Sequence, residues 1–290
     1  MLSERVAVVT GGGRGLGREY ALLLSSRGAR VVVNDVGVNS DGSTTDDTPA
    51  HDVVAEIRAG GGVAVADTHD VADWEQAEVL VANALETFGE LDVLVNNAGI
   101  LRDSAIVKMT EADLDAVLRV HVKGHVAPTR FAAAYWREQH KAGRRRPRNL
   151  VHTGSTSGIY ANPGQSNYGP AKSGIVTFSE IAAKELARYG VVSNCVVPGA
   201  RTRLTMSSPG LPEIMQAPVD GFDQWHPANV APVVAYLSGA DCPVTGATFY
   251  AQGGTVRRLE PWSLAGDSIE QPRRWDVDAL AAAMELFANR

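Results

Sequence analysis

Ser155, Tyr168 and Lys172 are the residues whose types and spacing could do acid–base chemistry. Tyr168 and Lys172 lie four apart, so a helix through them carries both side chains on one face. A phenol has a pKa near ~10 and is a poor base at neutral pH. A neighbouring ammonium favours the phenolate and lowers that value by roughly 1–3 units. The phenol then becomes a usable proton acceptor and donor. Ser155 stands thirteen residues earlier, after the apolar run from Asn149 to Thr153. If that run is a strand and Tyr168 opens the next helix, the Ser155 hydroxyl can point at whatever Tyr168 protonates. A lone Tyr-x-x-x-Lys is otherwise an ordinary helix surface, so the reading depends on the elements around it.

Those elements read as strands alternating with helices. Arg5 to Thr10 is a buried parallel strand by its Val-Ala-Val-Val core, followed by Gly11-x-x-x-Gly15-x-Gly17 and a helix from about Leu16 to Arg27. A second apolar strand, Arg30 to Asn34, ends in Asp35, eighteen residues past Gly17. Glycines in such a turn let the backbone approach a pyrophosphate, and the helix N-terminus favours its charge. Further strands are expected at 63–67, 91–95, 149–153, 191–197 and 247–251. Helices are expected at about 49–59, 73–88, 111–140, 166–189 and 229–237. The pattern predicts an α/β, doubly wound Rossmann fold with a seven-stranded parallel sheet and helices on both faces. It is expected as a single domain over 1–254, with a C-terminal extension over 255–290 packed on it.

Ser155, Tyr168 and Lys172, with Thr10-Gly-Gly-Gly-Arg-Gly-Leu-Gly17 and Asn96-Asn-Ala-Gly99, resemble the short-chain dehydrogenase/reductase signature. The resemblance covers Arg5 to about Gly254. It implies a nicotinamide cofactor held by Gly11, Arg14, Gly15, Leu16, Gly17, Asp35, Asp70, Val71, Asn97, Ala98, Gly99, Pro198, Gly199 and Thr202. Tyr168 and Lys172 contribute to the same site. It implies hydride transfer between a carbinol carbon and the nicotinamide, with Tyr168 as acid/base and Ser155 on the substrate oxygen. Lys172 would lower the Tyr168 pKa and hold the ribose. His121 stands where many relatives carry an asparagine. Either its backbone carbonyl holds a water beside Lys172, or it is a packed helix histidine. The stretch Pro198-Gly-Ala-Arg-Thr202 is one residue shorter to its threonine than the commoner pattern.

A narrower resemblance runs through Val33-Asn-Asp-Val-Gly37, Asn97-Ala-Gly-Ile-Leu-Arg-Asp103, Val120-His-Val-Lys-Gly124, Gly158-Ile-Tyr-Ala-Asn-Pro-Gly-Gln165 and the tail Gly253 to Trp262. These look like the dehydrogenase modules of peroxisomal D-bifunctional proteins and their stand-alone bacterial relatives. The resemblance implies oxidation of (3R)-3-hydroxyacyl-CoA to 3-ketoacyl-CoA, with 17β-hydroxysteroids or xenobiotic alcohols as alternative substrates. It also implies a homodimer or homotetramer. Asp35 suits a ribose 2′-hydroxyl and repels a 2′-phosphate, whereas Arg14 would attract one; the expected cofactor is NAD rather than NADP. A non-catalytic dinucleotide sensor is the rival from another class, and the presence of Ser155, Tyr168 and Lys172 together weighs against it.

The 290 residues carry a net charge of −6 and a pI of about 5.7, which argues against a general nucleic-acid partner. Cys195 and Cys242 have no metal-ligand spacing, so no metal is expected, and two isolated thiols fit a reduced, cytoplasmic setting. No apolar run reaches membrane-spanning length, and the start of the chain leaves no room for a signal peptide. The segment 36–50, with Asp41, Asp46 and Asp47, is either an ordinary surface loop or a flap beside the adenosine end of the cofactor. The basic run 143–148 precedes a strand, at the wrong edge for a ligand, and reads as a solvated loop. Residues 200–227 are rich in Pro, Met and Gly, and are expected to form the substrate lid.

Overall fold

The computed structural model describes residues 2–43, 45, 48–208, 210–260, 262–264 and 266–288. Asp46 and Asp47 of the acidic segment and the terminal Asn289 and Arg290 lie outside the described residues. The chain forms two compact units, Met1–Leu259 and Glu260–Arg290. In the second, Val277–Ala288 is a helix.

The first unit alternates β1 (Val6–Thr10), α1 (Gly15–Ser26), β2 (Arg30–Asn34), α2 (Pro49–Ala59), β3 (Val63–Asp67), α3 (Trp74–Phe88) and β4 (Val93–Asn96). Then come α4 (Glu111–Leu118), α5 (Gly124–Lys141), β5 (Arg148–Thr153), α6 (Ser157–Tyr160), α7 (Tyr168–Leu186) and β6 (Val191–Pro198). It ends with α8 (Arg203–Met206), α9 (Leu211–Ile214), α10 (Ala231–Leu237), β7 (Thr248–Gln252) and β8 (Thr255–Leu259). The sheet order is β3-β2-β1-β4-β5-β6-β7-β8. The chain winds outward in both directions from β1 and β4, so a crevice opens at the carboxyl ends of that pair.

Both sheet faces are buried, which the strand sequences require. Ala7, Val9, Val31, Val33, Val93 and Val95 belong to one core. Their alternate neighbours Val8, Val32 and Leu94 belong to the other, with Leu80, Ala127 and Trp136. Period-two alternation with apolar residues in both registers is what a doubly covered sheet needs.

The expected seven strands are eight. β8 pairs antiparallel with β7, with Gln252 opposite Thr255, so Gly253 and Gly254 form a two-residue hairpin turn. Gly253 takes a positive φ of 52°, which glycine tolerates. The reading missed β8 because Thr255 to Arg258 are all exposed and show no alternation.

The expected continuous helix over 111–140 is interrupted. Arg119–Lys123 forms a π-helical turn between α4 and α5, and His121 sits at its centre. Such bulges leave backbone groups outside the regular ladder and recur at functional sites.

The basic run is only partly a solvated loop. Arg144 and Arg145 are exposed, but Arg148 opens β5 at 2% exposure. It pairs with Asp92, itself 1% exposed, and with Glu90 at 3.1 Å. Arg146 reaches the same Asp92 at 3.1 Å, and Val6 donates its amide to it at 3.0 Å. Burial lowers the nearby Arg5 to about 10, while Asp92 raises it. Removing one partner of a buried pair leaves the other charge stranded. Asp92→Asn is expected to cost about 3–5 kcal/mol of stability, read as a lower denaturant midpoint with an unchanged slope. A midpoint equal to the unmodified chain would show that the arginines are solvated.

Candidate active site

The crevice is built by hydrogen bonds that lock strand ends together. Thr10 Oγ1 accepts from the backbone amides of Asn97 at 2.9 Å and Ala98 at 3.1 Å, joining the end of β1 to that of β4. The Asn97 side chain donates to the carbonyls of Thr10 at 3.1 Å and Gly11 at 3.2 Å, and accepts from Thr153 Oγ1 at 3.3 Å. Asn97 is therefore a bracket whose amide is spent on the framework. The glycine turn needs its glycines for two reasons. Gly11 and Gly15 have positive φ, 59° and 53°. A β-carbon on Gly17 would overlap the Gly11 carbonyl and lie 2.6 Å from Asn97 Nδ2, so α1 can start only where a hydrogen replaces it.

The N-terminus of α1 follows Arg14 with no side-chain cap and no acidic residue in its first turn. Its first amides thus lack a carboxylate or hydroxyl partner of the usual kind, which suits an anionic phosphate. Leu16 is the second residue of that helix and packs partly against the β1–β2 core. Asp35 Oδ2 accepts from Gly13 N at 3.0 Å and Oδ1 from Gly37 N at 2.9 Å, which orients the carboxylate at the tip of β2. These residues fit a dinucleotide.

At the other side of the crevice Tyr168 is the first residue of α7, with Asn167 Oδ1 accepting its amide at 2.7 Å. Ser155 is near enough to its phenol to pull the Tyr168 pKa down. Lys172 is 3% exposed; its Nζ lies 5.6 Å from the Tyr168 ring centroid and donates to the Thr153 carbonyl at 2.7 Å. The three residues expected to act together are brought together.

A family profile for short chain dehydrogenases matches residues 5–209. This chain belongs to the short-chain dehydrogenase family. It is 44% identical over 255 residues to a peroxisomal multifunctional enzyme type 2 from Drosophila melanogaster, covering 88% of this chain and 40% of that protein. It thus spans less than half the length of that relative. It is 39% identical over 298 residues to a hydroxyacyl-CoA dehydrogenase from Mycobacterium tuberculosis, covering 100% of this chain and 90% of that one. A solved short chain dehydrogenase from Mycobacterium avium shares 45% identity with a TM-score of 0.87, over 99% of this chain and 96% of that chain.

As a short-chain dehydrogenase, the chain departs from the simplest picture of its tyrosine. Burial pushes the Tyr168 phenol up to about 12; the Ser155 bond pulls it down and Asp103 pushes it further up. Lys172 is itself lowered to about 8 by burial. The expected lowering of Tyr168 by Lys172 is not what sets its pKa: burial, which takes water from the phenolate, is the largest cause, and the lowering comes from Ser155.

His121 is fully buried. Its Nε2 lies 2.7 Å from the Ile100 carbonyl and its ring meets that of Tyr168 edge to face at 5.1 Å. Burial, with the charge of Lys172, lowers it to about 3, so the imidazole is neutral. Its Cε1 sits 2.5 Å from where a β-carbon on Gly99 would stand, which explains the glycine there. The side chain props the Ile100 backbone and the Tyr168 ring, while the π turn shapes the backbone around it.

The remaining expected contacts are placed more variously. The Asp70 carboxylate is engaged by the Ala72 amide at 2.8 Å and by Arg119, and Val71 is 4% exposed in the core. Gly199 donates its amide to Ala251 at 2.8 Å, just after Pro198 closes β6. Thr202 caps α8, and its Cγ2 lies 3.6 Å from the β-carbon position of Gly15, so it stands across the crevice from the glycine turn. Arg201 ties the segment after β6 together by pairing with Asp223 and donating to Met215 O at 2.9 Å.

Two groups escaped the reading. Asp103 accepts from Gln165 Nε2 at 3.0 Å and Ser208 Oγ at 3.2 Å, and Asn167 Nδ2 donates to Arg102 O at 2.8 Å. They fix the segment leading into Tyr168. The quoted stretch ending at Asp103 pointed there, but nothing in its spacing assigns a role. The segment 36–43 crosses the crevice: Leu101 N donates to Ser40 O at 2.8 Å, Arg102 Nε to Asp41 O at 2.7 Å and Arg14 Nη1 to Val38 O at 3.2 Å. Among the described residues, no group of three or more His, Cys, Asp or Glu side chains could hold a metal ion. None of their helices is long and apolar enough to cross a membrane.

Tyr168→Phe is expected to lower kcat by about 10²–10⁴ with cofactor binding retained, measured by turnover and cofactor titration. Near-normal turnover would remove Tyr168 from the proton path. His121→Asn is expected to stay within roughly tenfold in kcat, because a short amide can still meet Ile100. A loss as large as that of Ser155→Ala would place the imidazole itself in the proton path.

Proposed function

We propose that this short-chain dehydrogenase interconverts (3R)-3-hydroxyacyl-CoA and 3-ketoacyl-CoA with NAD, in the cytoplasm and as a homodimer or homotetramer. The observation that carries the chemistry is the buried Lys172, 5.6 Å from the Tyr168 ring and fixed on the Thr153 carbonyl, beside a Tyr168 phenol that Ser155 acts on and facing the uncapped glycine turn. The likeness to a mycobacterial hydroxyacyl-CoA dehydrogenase along the whole chain supports the substrate class. Both nicotinamide cofactors serve this family.

A bound nicotinamide supplies the hydride acceptor. Ser155 holds the substrate oxygen by a hydrogen bond that strengthens as charge develops there. Tyr168 takes the hydroxyl proton and returns it in the reductive direction. Lys172 keeps two N–H donors beyond its bond to Thr153, enough for ribose hydroxyls, and passes the proton onward. Asp35, oriented by Gly13 and Gly37, accepts from the adenosine ribose and opposes a 2′-phosphate. Arg14 attracts such a phosphate, but it also donates to Val38 O. The lid over residues 200–227 supplies the specificity.

The test is kcat/KM for 3-hydroxyacyl-CoAs, 17β-hydroxysteroids and simple secondary alcohols, each with both cofactors at one salt concentration. The expected result is an acyl-CoA preference and an NAD preference of at least roughly tenfold, about 1.4 kcal/mol of transition-state binding. Asp35→Ala should narrow the cofactor gap mainly by losing NAD. Preference for NADP in the unmodified enzyme would show that Arg14 outweighs Asp35. Preference for a steroid would replace the substrate, and turnover of nothing would favour a dinucleotide sensor.

A further inference from the structure

The Asp103 carboxylate joins two parts of the crevice that lie far apart along the chain. Both of its oxygens accept from Gln165 Nε2, at 3.2 and 3.0 Å, three residues before Tyr168. Its Oδ2 also accepts from Ser208 Oγ at 3.2 Å, just past α8 in the segment after β6.

From Gln165 the bonds run on to the acid–base residues. Asn162 Nδ2 donates to Gln165 Oε1 at 3.3 Å and to Ser157 Oγ at 3.1 Å. The Ser157 amide donates to Ser155 Oγ at 3.2 Å, a bond that uses a lone pair of that oxygen and not its proton. The Gln165 carbonyl accepts from the Gly169 amide at 2.8 Å, in the first turn of α7 beside Tyr168. The charge of Asp103 reaches the Tyr168 phenol as well and raises its pKa.

The run 102–104 does not need this carboxylate for its own place. Ser104 N donates to Gly164 O at 2.8 Å, and Asn167 Nδ2 donates to Arg102 O at 2.8 Å. Those bonds lay the run along the loop that leads into α7 and leave the Asp103 side chain for the connection to Ser208. Close packing does not replace that connection. Ser207, Leu101, Arg102 and Asp103 line a cavity of about 350 Å³, together with Ser40 and Asp41.

We propose that Asp103 is a positioning residue for the hydride transfer: its carboxylate ties the segment after β6 to the loop that bears Ser155 and leads into Tyr168, so that seating of that segment sets both groups. This rests on the dehydrogenase reading above, in which Ser155 and Tyr168 act on the substrate oxygen. Asp103 works through Gln165 and touches no reacting atom.

The test has one arm without turnover and one with it. Amide hydrogen exchange is followed over 203–208 and 164–169 in unmodified protein, Ser208→Ala, Asp103→Ala and Asp103→Asn. Ser208→Ala is expected to speed exchange at Gln165 and Gly169 by roughly threefold or more, because Ser208 reaches them through Asp103. Asp103→Ala should speed both stretches, and Asp103→Asn, which keeps an oxygen acceptor, should stay close to the unmodified protein. Unchanged exchange over 164–169 in Ser208→Ala overturns the proposal, whatever the enzyme's substrate. The second arm measures kcat and KM for the best substrate of the panel above. Asp103→Ala should lose roughly tenfold in kcat with KM for the cofactor unchanged, and Asp103→Asn should restore most of the rate. Ser208→Ala should lose kcat in the same direction, and the double variant Asp103→Ala/Ser208→Ala should be no worse than Asp103→Ala alone, as for two ends of one connection. Losses that multiply in the double variant, or a lower melting temperature with kcat unchanged, would show separate structural contacts and overturn the tie. If the panel finds no turnover, the catalytic reading fails and the exchange data alone decide whether Asp103 connects the two segments.

Discussion

Two hydrogen bonds at the end of β1 organise the whole molecule. Thr10 Oγ1 receives the amides of Asn97 and Ala98, and so clamps β1 to β4 where the sheet changes direction. Asn97 extends the clamp to the Gly11 carbonyl and to Thr153 at the end of β5. The Thr153 carbonyl then receives Lys172. A single polar chain thus runs from the glycine turn to the lysine of α7. Each bond contributes about 0.5–1.5 kcal/mol net, but leaving any of these buried groups unpaired costs about 1–3 kcal/mol. The positions of the cofactor cradle and of the acid/base pair are consequently coupled.

Burial, more than pairing, sets the electrostatics of the site. The phenol of Tyr168 is pushed up, the ammonium of Lys172 down, and the nearby imidazoles are held neutral. All these shifts disfavour charge, as a low-dielectric pocket must. Opposing the shift of the phenol is Ser155, which lowers it. The site therefore biases each of these groups towards its uncharged form, while Lys172, lowered only to about 8, still carries its charge near neutral pH.

Much of this was legible in the chain itself. The apolar strands are unambiguous because a doubly covered sheet admits no polar face, and the glycine spacing is forced by the α1–Gly11 approach. Ser155, Tyr168 and Lys172 were legible because strand end, turn and helix start leave them few places to go. The rest depended on tertiary partners that carry no local pattern. The π turn at His121 arises within a run whose periodicity reads as plain helix. β8 is exposed at four of its five residues and so shows no alternation. Arg148 looks like its exposed neighbours Arg144 and Arg145 until Asp92, 56 residues away, claims it. Its burial is decided by a long-range partner, which spacing along the chain cannot reveal.

The segment 36–43 shows how such partners turn an ambiguous loop into part of the site. Its sequence is polar and fits solvent equally well. Three bonds decide its course, from Leu101 to Ser40, from Arg102 to Asp41 and from Arg14 to Val38. Two of the donors are arginines, and Arg102 also meets Asp113 at 3.4 Å. In each of these three bonds the acceptor is a backbone carbonyl of the segment, while within it the Asp41 side chain accepts from the Ser43 amide at 2.9 Å. Partly exposed bonds of this kind contribute about 0.5–1.5 kcal/mol each. Arg14, at the glycine turn, is thus one of the two arginines that tie this segment to the rest of the crevice.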